Sequence, residues 1–268
     1  MMNDPNTSPT KPRVAVHKFS SCDGCQLALL NLGEDLLTLA ERVDLVHFAE
    51  AGPLDPDTEV DVAFVEGSVS TPEDLERIQH VRQHSRLLIA IGACATSGGI
   101  QSLRNGPHSE GWIAQIYAHP EAISSLQHST PIARHVKVDF ELWGCPVNSQ
   151  QMLAVINSLL LGVAPRDNAD KVCNECKRRN LTCVMVSHGV PCMGPVTRAG
   201  CGALCPSLGR DCYGCYGPAE NANTDALAAQ FGRLGLMPQA IVQRFQSINS
   251  QAPVFLAAAD KTRAHHDD

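Results

Sequence analysis

The sequence lacks long apolar runs, and none approaches the roughly 18 consecutive apolar residues that indicate a membrane-spanning helix. Its first residues, MMNDPNTSPTKPR, contain neither an apolar segment nor a twin arginine. No export signal is therefore predicted, and we expect a cytoplasmic protein. An excess of positive charge is also missing. The net charge of −7 disfavours non-specific binding to nucleic acid, which requires a basic surface.

Cysteine, in contrast, is abundant, with twelve residues in a chain of 268. A chain of this length with 44% hydrophobic residues can bury a sizeable core without covalent crosslinks. The missing secretory signal also disfavours disulfide bonds. The cysteines therefore indicate metal ligation or redox chemistry.

The N-terminal part alternates between short apolar runs and helical patterns. Apolar runs buried on both faces and separated by helices predict an α/β fold with a doubly wound parallel sheet of five strands. We place this domain at residues 13–162. The predicted strands are 13–19, 43–49, 60–67, 86–93 and 135–143, and the predicted helices are 26–42, 71–84, 111–127 and 148–162.

Residues 163–250 have a different character. The segment 173–216 contains eight cysteines with many Gly and Pro residues and little apolar periodicity, so we predict a small irregular domain whose core is formed by bound metal. Helical patterns return at 224–235 and 238–248. We expect residues 1–12 and 259–268, including the terminal histidine pair, to be flexible tails.

Four cysteines of the first domain each follow a predicted strand, in the segments FSSCDGC, IGACATSGG and LWGCPV. Ligands of open α/β sheets bind beyond the carboxyl ends of the strands, so one four-thiolate site is predicted. Neighbouring glycines leave room for a body larger than one ion and favour an iron–sulfur cluster over zinc. The CDGC motif alone is equally compatible with a redox-active dithiol. The four cysteines are Cys22, Cys25, Cys94 and Cys145.

The other eight cysteines supply ligands for two further four-thiolate sites. Their spacing differs from the compact run of bacterial ferredoxins. Spacing alone leaves two structural zinc sites open as an alternative, since zinc would use the same ligands. These cysteines are Cys173, Cys176, Cys183, Cys192, Cys201, Cys205, Cys212 and Cys215.

The motifs SSCDGCQLALL, EGSV, GACATSGG and GCP occur in this order, and the chain resembles the small, electron-transferring subunit of nickel–iron hydrogenases. The similarity is greatest to the delta subunit of soluble sulfhydrogenases that use nicotinamide cofactors, and it spans about residues 13–248. It implies a flavodoxin-like first domain. It also implies that Cys22, Cys25, Cys94 and Cys145 hold a proximal [4Fe-4S] cluster facing a nickel–iron site in a large subunit.

The resemblance also implies a distal and a medial cluster in the second domain. Cys173 stands where membrane-bound members have a histidine, and Cys205 stands where they have a proline, so two complete [4Fe-4S] clusters are expected. The distance from Cys183 to Cys192 differs from the family pattern. The expected distal ligands are Cys173, Cys176, Cys183 and Cys192; the expected medial ligands are Cys201, Cys205, Cys212 and Cys215.

The implied function is electron relay between hydrogen and NAD(P), in a heterotetramer with a nickel–iron subunit and flavin and iron–sulfur subunits. The chain itself would have no nickel ligands, because all twelve cysteines serve the three clusters. Two alternatives remain. One is a zinc-stabilised interaction module without redox function. The other is a quinone-reductase-type subunit with a single terminal cluster, in which adjacent cysteines in the first motif and no second cluster domain would be expected.

Four other features have simpler interpretations. Glu66 either approaches the proximal cluster or caps its loop, and His17 is interpreted as a packed strand residue. His188 is an alternative distal ligand. The basic segment 177–179 is interpreted as a solvated surface, with docking of an acidic redox partner as the alternative.

Overall fold

The computed structural model describes residues 11–106, 111–166, 168 and 170–264. Five parallel strands form one sheet in the order β2-β1-β3-β4-β5. This is the flavodoxin-like doubly wound order, in which the chain reverses direction across the sheet between β1 and β3. The predicted fold class is confirmed. The strands are β1 Arg13–Lys18, β2 Asp44–Phe48, β3 Val60–Glu66, β4 Ser85–Ile91 and β5 Phe140–Leu142.

Alternate residues of the strands point to opposite faces, and both faces are buried. Val16 and Phe64 belong to a core that includes Met152 of the helix Ser149–Leu160. Ala63 of the same sheet faces a second core with Ile78. Helices cover both faces because every second apolar side chain on either side must be removed from water.

The predicted helices of the first region match the observed positions with two exceptions, and one short helix, Gly92–Ser97, was not predicted. The predicted helix 26–42 is divided in two, because Gly33 has a φ of 62°, outside the helical range for a right-handed helix. α3 begins with a capping box, in which the Thr71 hydroxyl accepts a hydrogen bond from the backbone N–H of Asp74. These helices are α1 Gly24–Leu30, α2 Glu34–Arg42, α3 Pro72–Gln83, α4 Gly92–Ser97, α5 Trp112–Ile116 and α6 Ser149–Leu160.

The second exception is the segment 111–127, which was predicted to be one helix. α5 is only five residues long and buries none of them, and a short 3₁₀ turn follows at Pro120–Ala122. Without a buried face there is little to stabilise a longer helix. Pro120 also removes a backbone donor and disfavours helical geometry in the residue before it.

The last strand is shorter than predicted. β5 contains three residues, whereas the sequence indicated a strand over 135–143. The Asp139 carboxylate accepts a hydrogen bond from the backbone N–H of Leu88 at 2.9 Å, and Leu88 in turn accepts from the Asp139 N–H. A side chain therefore takes the place of the backbone ladder at the start of this strand.

The second region consists of short helices around the cysteines, followed by three longer helices. α12 continues to Ala264, so residues 259–264 are helical where a flexible tail was predicted. Phe255 and Ala258 of α12 are buried against α10 and α11, which explains the extra turns. Residues 1–10 and 265–268 lie outside the described part of the chain. The helices are α7 Val172–Arg178, α8 Val184–His188, α9 Leu204–Ser207, α10 Thr224–Arg233, α11 Pro238–Gln246 and α12 Pro253–Ala264.

None of the helices in the described residues has the length and hydrophobicity of a membrane span.

Candidate metal centres

The first two cysteines lie beyond the end of β1, at the point where the strand order reverses. Cys25 is in the first turn of α1, and Asp23 before it has a φ of 64°. The buried Glu66 carboxylate, at the end of neighbouring β3, accepts hydrogen bonds from the backbone N–H groups of Cys25 at 3.0 Å and Gln26 at 3.2 Å. Glu66 therefore fixes the start of α1 and the direction of the first cysteine pair.

Burial affects Glu66 in the opposite direction to these hydrogen bonds. Removal from water raises the pKa of its carboxyl group, and the bonds from the backbone N–H groups of Cys25 and Gln26 partly offset that shift. The Gln26 side chain is fully buried, and its proximity to Glu66 also lowers the pKa of that carboxyl group.

Cys94 and Cys145 come from the ends of β4 and β5. Their loops are joined by a hydrogen bond of 2.7 Å from the Ala93 N–H to the Gly144 carbonyl. After burial, the nearby thiols of Cys145 and Cys22 are the next causes that raise the pKa of Cys94, to about 12. The structure thus brings the four predicted ligands of the first domain together.

Two glycines make this approach possible. A Cβ atom at Gly92 would lie 2.4 Å from the Cys25 sulfur, and one at Gly99 would lie 2.5 Å from the Cys94 sulfur. Both glycines also have positive φ angles, 84° and 61°. Any other residue would collide with the thiols, so the glycines keep the space around the sulfurs open.

The predicted distal cysteines also lie together. Cys173 and Cys176 are on α7, and Cys183 is the exposed residue that precedes α8. A Cβ atom at Gly194 would be 3.4 Å from the sulfurs of both Cys173 and Cys192. Burial raises the pKa of Cys173 to about 11, with further contributions from the other three distal thiols.

The predicted medial cysteines lie between the other two sets. Burial raises the pKa of Cys215 to about 12, and the nearby thiols Cys201, Cys145 and Cys205 are the next causes. On the other side, the backbone N–H of Cys212 donates to the Cys192 sulfur at 3.3 Å. The medial set is thus adjacent to the proximal set through Cys145 and to the distal set through Cys192.

A cavity of about 520 Å³ opens between the two regions, and four of its lining residues are the predicted medial cysteines. Its size suits a body larger than one tetrahedrally bound ion, whose thiolate ligands lie about 2.3 Å away. Within the described residues, no three His, Cys, Asp or Glu side chains are arranged to hold a single metal ion. The cysteines that line the cavity are Cys145, Cys201, Cys205, Cys212 and Cys215.

Buried thiols in this arrangement are poor nucleophiles. Burial raises the pKa of Cys25 well above its ordinary value, and the neighbouring Glu66 carboxylate adds to this shift. A redox-active dithiol needs the opposite shift, toward a stable thiolate at neutral pH. Cys25 therefore lacks the property of a redox-active thiol, whereas Cys22 of the same motif is exposed.

Asn249 is one of the residues that join the two regions behind these sites. The buried Asn249 accepts a hydrogen bond from the Ser97 hydroxyl at 2.7 Å and donates one to the Gly214 carbonyl at 2.7 Å. Ser97 belongs to the helix that carries Cys94, and Gly214 lies between Cys212 and Cys215. Asn249 therefore sets the position of the medial loop relative to the sheet.

A comparison with known protein families matches the sheet region. Residues 22–159 match the family described as NADH ubiquinone oxidoreductase, 20 Kd subunit. The chain belongs to this family. The matched segment contains the four cysteines at the carboxyl edge of the sheet, and the eight later cysteines lie outside it.

Hydrogenase subunits are among the relatives of this chain. The chain is 35% identical over 215 residues to sulfhydrogenase 2 subunit delta of Pyrococcus furiosus, with 80% of this chain and 90% of that protein covered. It is 29% identical over 167 residues to the NAD-reducing hydrogenase HoxS subunit delta of Cupriavidus necator, covering 57% and 80%. The resemblance to hydrogenase small subunits is confirmed.

Solved structures agree with the fold. A chain of an NAD⁺-reducing [NiFe]-hydrogenase in the H₂-reduced state matches with a TM-score of 0.54 and 29% identity, covering 58% of this chain and 94% of that one. A chain of the actinobacterial-type NiFe-hydrogenase of Ralstonia eutropha matches over 97% of this chain and 92% of its own, with a TM-score of 0.57 and 16% identity. At 16% identity this second match shows the fold alone.

The two histidines discussed in the sequence analysis have different environments. The buried His17 stacks on the ring of His47 with a centroid distance of 4.5 Å, as expected of a packed strand residue. His188 is the last residue of α8 and is exposed. Its nearest described partner is the Ser187 hydroxyl at 3.3 Å.

Sequence reasoning missed two residues of this family member that organise the cysteine loops, Asn249 and Glu175. Glu175 stands inside the CNEC motif, so its position next to two ligands was an available signal. Asn249 lies in a polar segment between two helices, and no local pattern distinguishes it from a solvated asparagine.

Proposed function

We propose that this chain is the electron-transfer subunit of a cytoplasmic nickel–iron hydrogenase and relays electrons through three [4Fe-4S] clusters. The observation that carries the proposal is the contiguous arrangement of the three cysteine sets. Cys145 links the first set to the medial one, and Cys192 links the medial set to the distal one. Such an order suits one-electron transfer from one end of the chain to the other.

The chain contributes positioning, insulation and electrostatic tuning to this function. When bound, the clusters supply reversible one-electron chemistry. Glu66 fixes the loop of Cys22 and Cys25, and backbone N–H groups point at buried sulfurs, as the Gly214 N–H does at Cys212 with a distance of 3.4 Å. Donors of this kind and exclusion of water adjust reduction potentials.

The partners follow from the relatives and from the ligand inventory. Electrons would enter from a nickel–iron large subunit at the proximal set and leave from the distal set, where Cys183 is exposed. The recipient would be a flavin and iron–sulfur module that reacts with NAD(P), since one relative is an NAD-reducing hydrogenase subunit. All twelve cysteines are assigned, so the nickel ligands belong to the large subunit.

The single-cluster quinone-reductase alternative is less well supported. Its family description matches the sheet region, but Cys22 and Cys25 are separated by two residues, and eight cysteines follow beyond the match. The zinc alternative is decided by metal content. A colourless protein with bound zinc and no iron after anaerobic purification and reconstitution would contradict the electron-transfer proposal.

The test is anaerobic co-expression with a nickel–iron large subunit and the NAD(P)-reactive module. We expect about twelve iron atoms per chain, four for each cluster, and hydrogen-dependent NAD(P)⁺ reduction. In Cys215→Ser, this reduction should fall sharply, while hydrogen–deuterium exchange at the nickel site should continue. Thr182→Ala, an exposed position in the same region, is the control and should retain both activities.

A further inference from the structure

Glu175 lies between two predicted distal ligands, but its carboxylate binds the loop that carries a medial one. Its Oε1 atom accepts hydrogen bonds from the backbone N–H groups of Gly200 at 2.8 Å and Gly202 at 3.1 Å. Its Oε2 atom accepts from the Ala203 N–H at 3.0 Å. The same Oε2 atom is 3.8 Å from the Cys201 sulfur. The Glu175 carboxylate thus accepts three hydrogen bonds from the backbone on both sides of Cys201.

The loop that Glu175 binds has an unusual backbone. Gly200, Gly202 and Ala203 all have positive φ angles, of 143°, 65° and 54°. For Ala203 this left-handed conformation is unfavourable, because its Cβ atom crowds the backbone. Successive N–H groups in such a turn point to one side and form a site for an anion. The carboxylate occupies that site and offsets the strain.

The same helix holds the loop from a second position. The Arg179 guanidinium, one residue beyond the end of α7, donates to the Gly202 carbonyl. Within residues 200–203, backbone N–H groups donate to Glu175, and one backbone carbonyl accepts from Arg179. The segment cannot shift relative to α7 without breaking both sets of contacts.

We propose that Glu175 is the positioning residue for the medial cluster. It holds the loop of residues 200–205 in the conformation that presents Cys201 and Cys205, and fixes that loop against the helix of Cys173 and Cys176. This inference rests on the proposed function, because it assigns the two cysteine sets to two clusters. The carboxylate also places a negative charge beside Cys201 and Cys176, and this charge lowers the reduction potential of a bound cluster.

The experiment uses the anaerobically purified holo-complex with Glu175→Ala and Glu175→Gln. Cys205→Ser identifies the spectroscopic signal of the medial cluster by its loss. Glu220→Gln is the matched control, because Glu220 is an exposed carboxylate in the same region. Iron content and a redox titration followed by electron paramagnetic resonance are measured for each protein.

Glu175→Ala should lose about four of twelve irons and the medial signal, and keep the other two clusters. Glu175→Gln retains the size of the side chain and covers the case in which Glu175→Ala does not fold. Its medial cluster should titrate at a more positive potential than in the wild type, because one acceptor and the charge are gone. The control should match the wild type in iron and potential.

A Glu175→Gln protein with full iron and an unchanged medial potential would overturn the assignment. A wild-type complex that contains no iron–sulfur clusters would instead defeat the proposed function. The two failures are therefore distinguished by the wild-type sample alone.

Discussion

The sheet region and the cysteine-rich region fill their interiors in different ways. In the sheet, apolar side chains such as Phe64 on one face and Leu88 on the other form the cores, and the four cysteines follow the carboxyl ends of the strands. In the second region, Cys192 and Cys212 are themselves buried members of the core, together with Met193. The sheet can fold around apolar side chains alone, whereas the cysteine-rich segment of the second region depends on what its thiols bind.

The comparison also locates the join between the regions. The regions meet through both kinds of contact: Trp143, directly after β5, is a buried member of the apolar core of the second region, and Asn249 forms hydrogen bonds to both regions. Polar contacts have directional geometry, so they define relative position more sharply than apolar packing does. The spacing of the cysteine sets therefore depends on a few hydrogen bonds.

The largest expected effect is removal of iron. Chelation under anaerobic reducing conditions should unfold the segment 171–219 and leave β1, β3 and β4 folded, because cysteines are part of the interior of that segment, whereas the strands pack on apolar side chains. Hydrogen–deuterium exchange read by mass spectrometry would show fast exchange in that segment and protected strands. Simultaneous opening of both regions would contradict the comparison.

The second prediction concerns a substitution that leaves a cavity in the core of the sheet region. Phe64 is 1% exposed, and Phe64→Ala should lower the free energy of unfolding of the sheet region by about 3–5 kcal/mol. Urea unfolding followed by circular dichroism measures this change. Leu37→Ala, at a position that is 69% exposed, serves as the control and should change stability by less than about 0.5 kcal/mol.

The contact between the regions is expected to show an intermediate effect. Asn249→Ala leaves the Ser97 hydroxyl with one acceptor fewer and the Gly214 carbonyl without this donor, at a cost of about 1–3 kcal/mol. Ser97→Ala removes only one of the two bonds and should cost about half as much. Thermal unfolding should resolve into two transitions in Asn249→Ala if the regions lose their coupling. A single unshifted transition would show that Asn249 does not join them.

The smallest expected effect is the pH dependence of stability that His17 gives to the sheet region. Burial, followed by the neighbouring His47, lowers the pKa of His17 from 6.5 to about 3. Above pH 6.5 both folded and unfolded chains carry this histidine neutral, so it has no effect on stability. As pH falls from 6.5 toward 3, only the unfolded chain gains a proton, and stability falls by about 1.4 kcal/mol per pH unit.

His17→Phe retains a flat ring against His47 and removes this titration. Its Tm should therefore decrease less than the wild-type Tm between pH 7.5 and pH 5.5, two values chosen on either side of the histidine range. The exposed His119 provides the control, since His119→Asn should leave the wild-type pH dependence intact. Equal slopes for His17→Phe and wild type would exclude His17 as the cause.

Local sequence patterns were sufficient for the order and type of most elements. Apolar runs predicted the five strands, and helical spacing predicted a helix at 71–84, close to the observed bounds of α3. The patterns failed where burial was absent or a side chain replaced the backbone. Segment 111–127 has helical spacing but no buried face, and Asp139 ends the pairing that a longer β5 would need.

The sequence by itself predicted which residues are candidate metal ligands, because its twelve cysteines recur in spaced groups. Only the tertiary structure decided which groups are neighbours. Cys145 approaches Cys215, and Cys192 approaches Cys212, because the second region packs against the carboxyl edge of the sheet. Glu175 and Asn249 acquire their roles in the same way. Periodicity and spacing report local backbone preference and burial, whereas distances between remote residues depend on how whole elements pack.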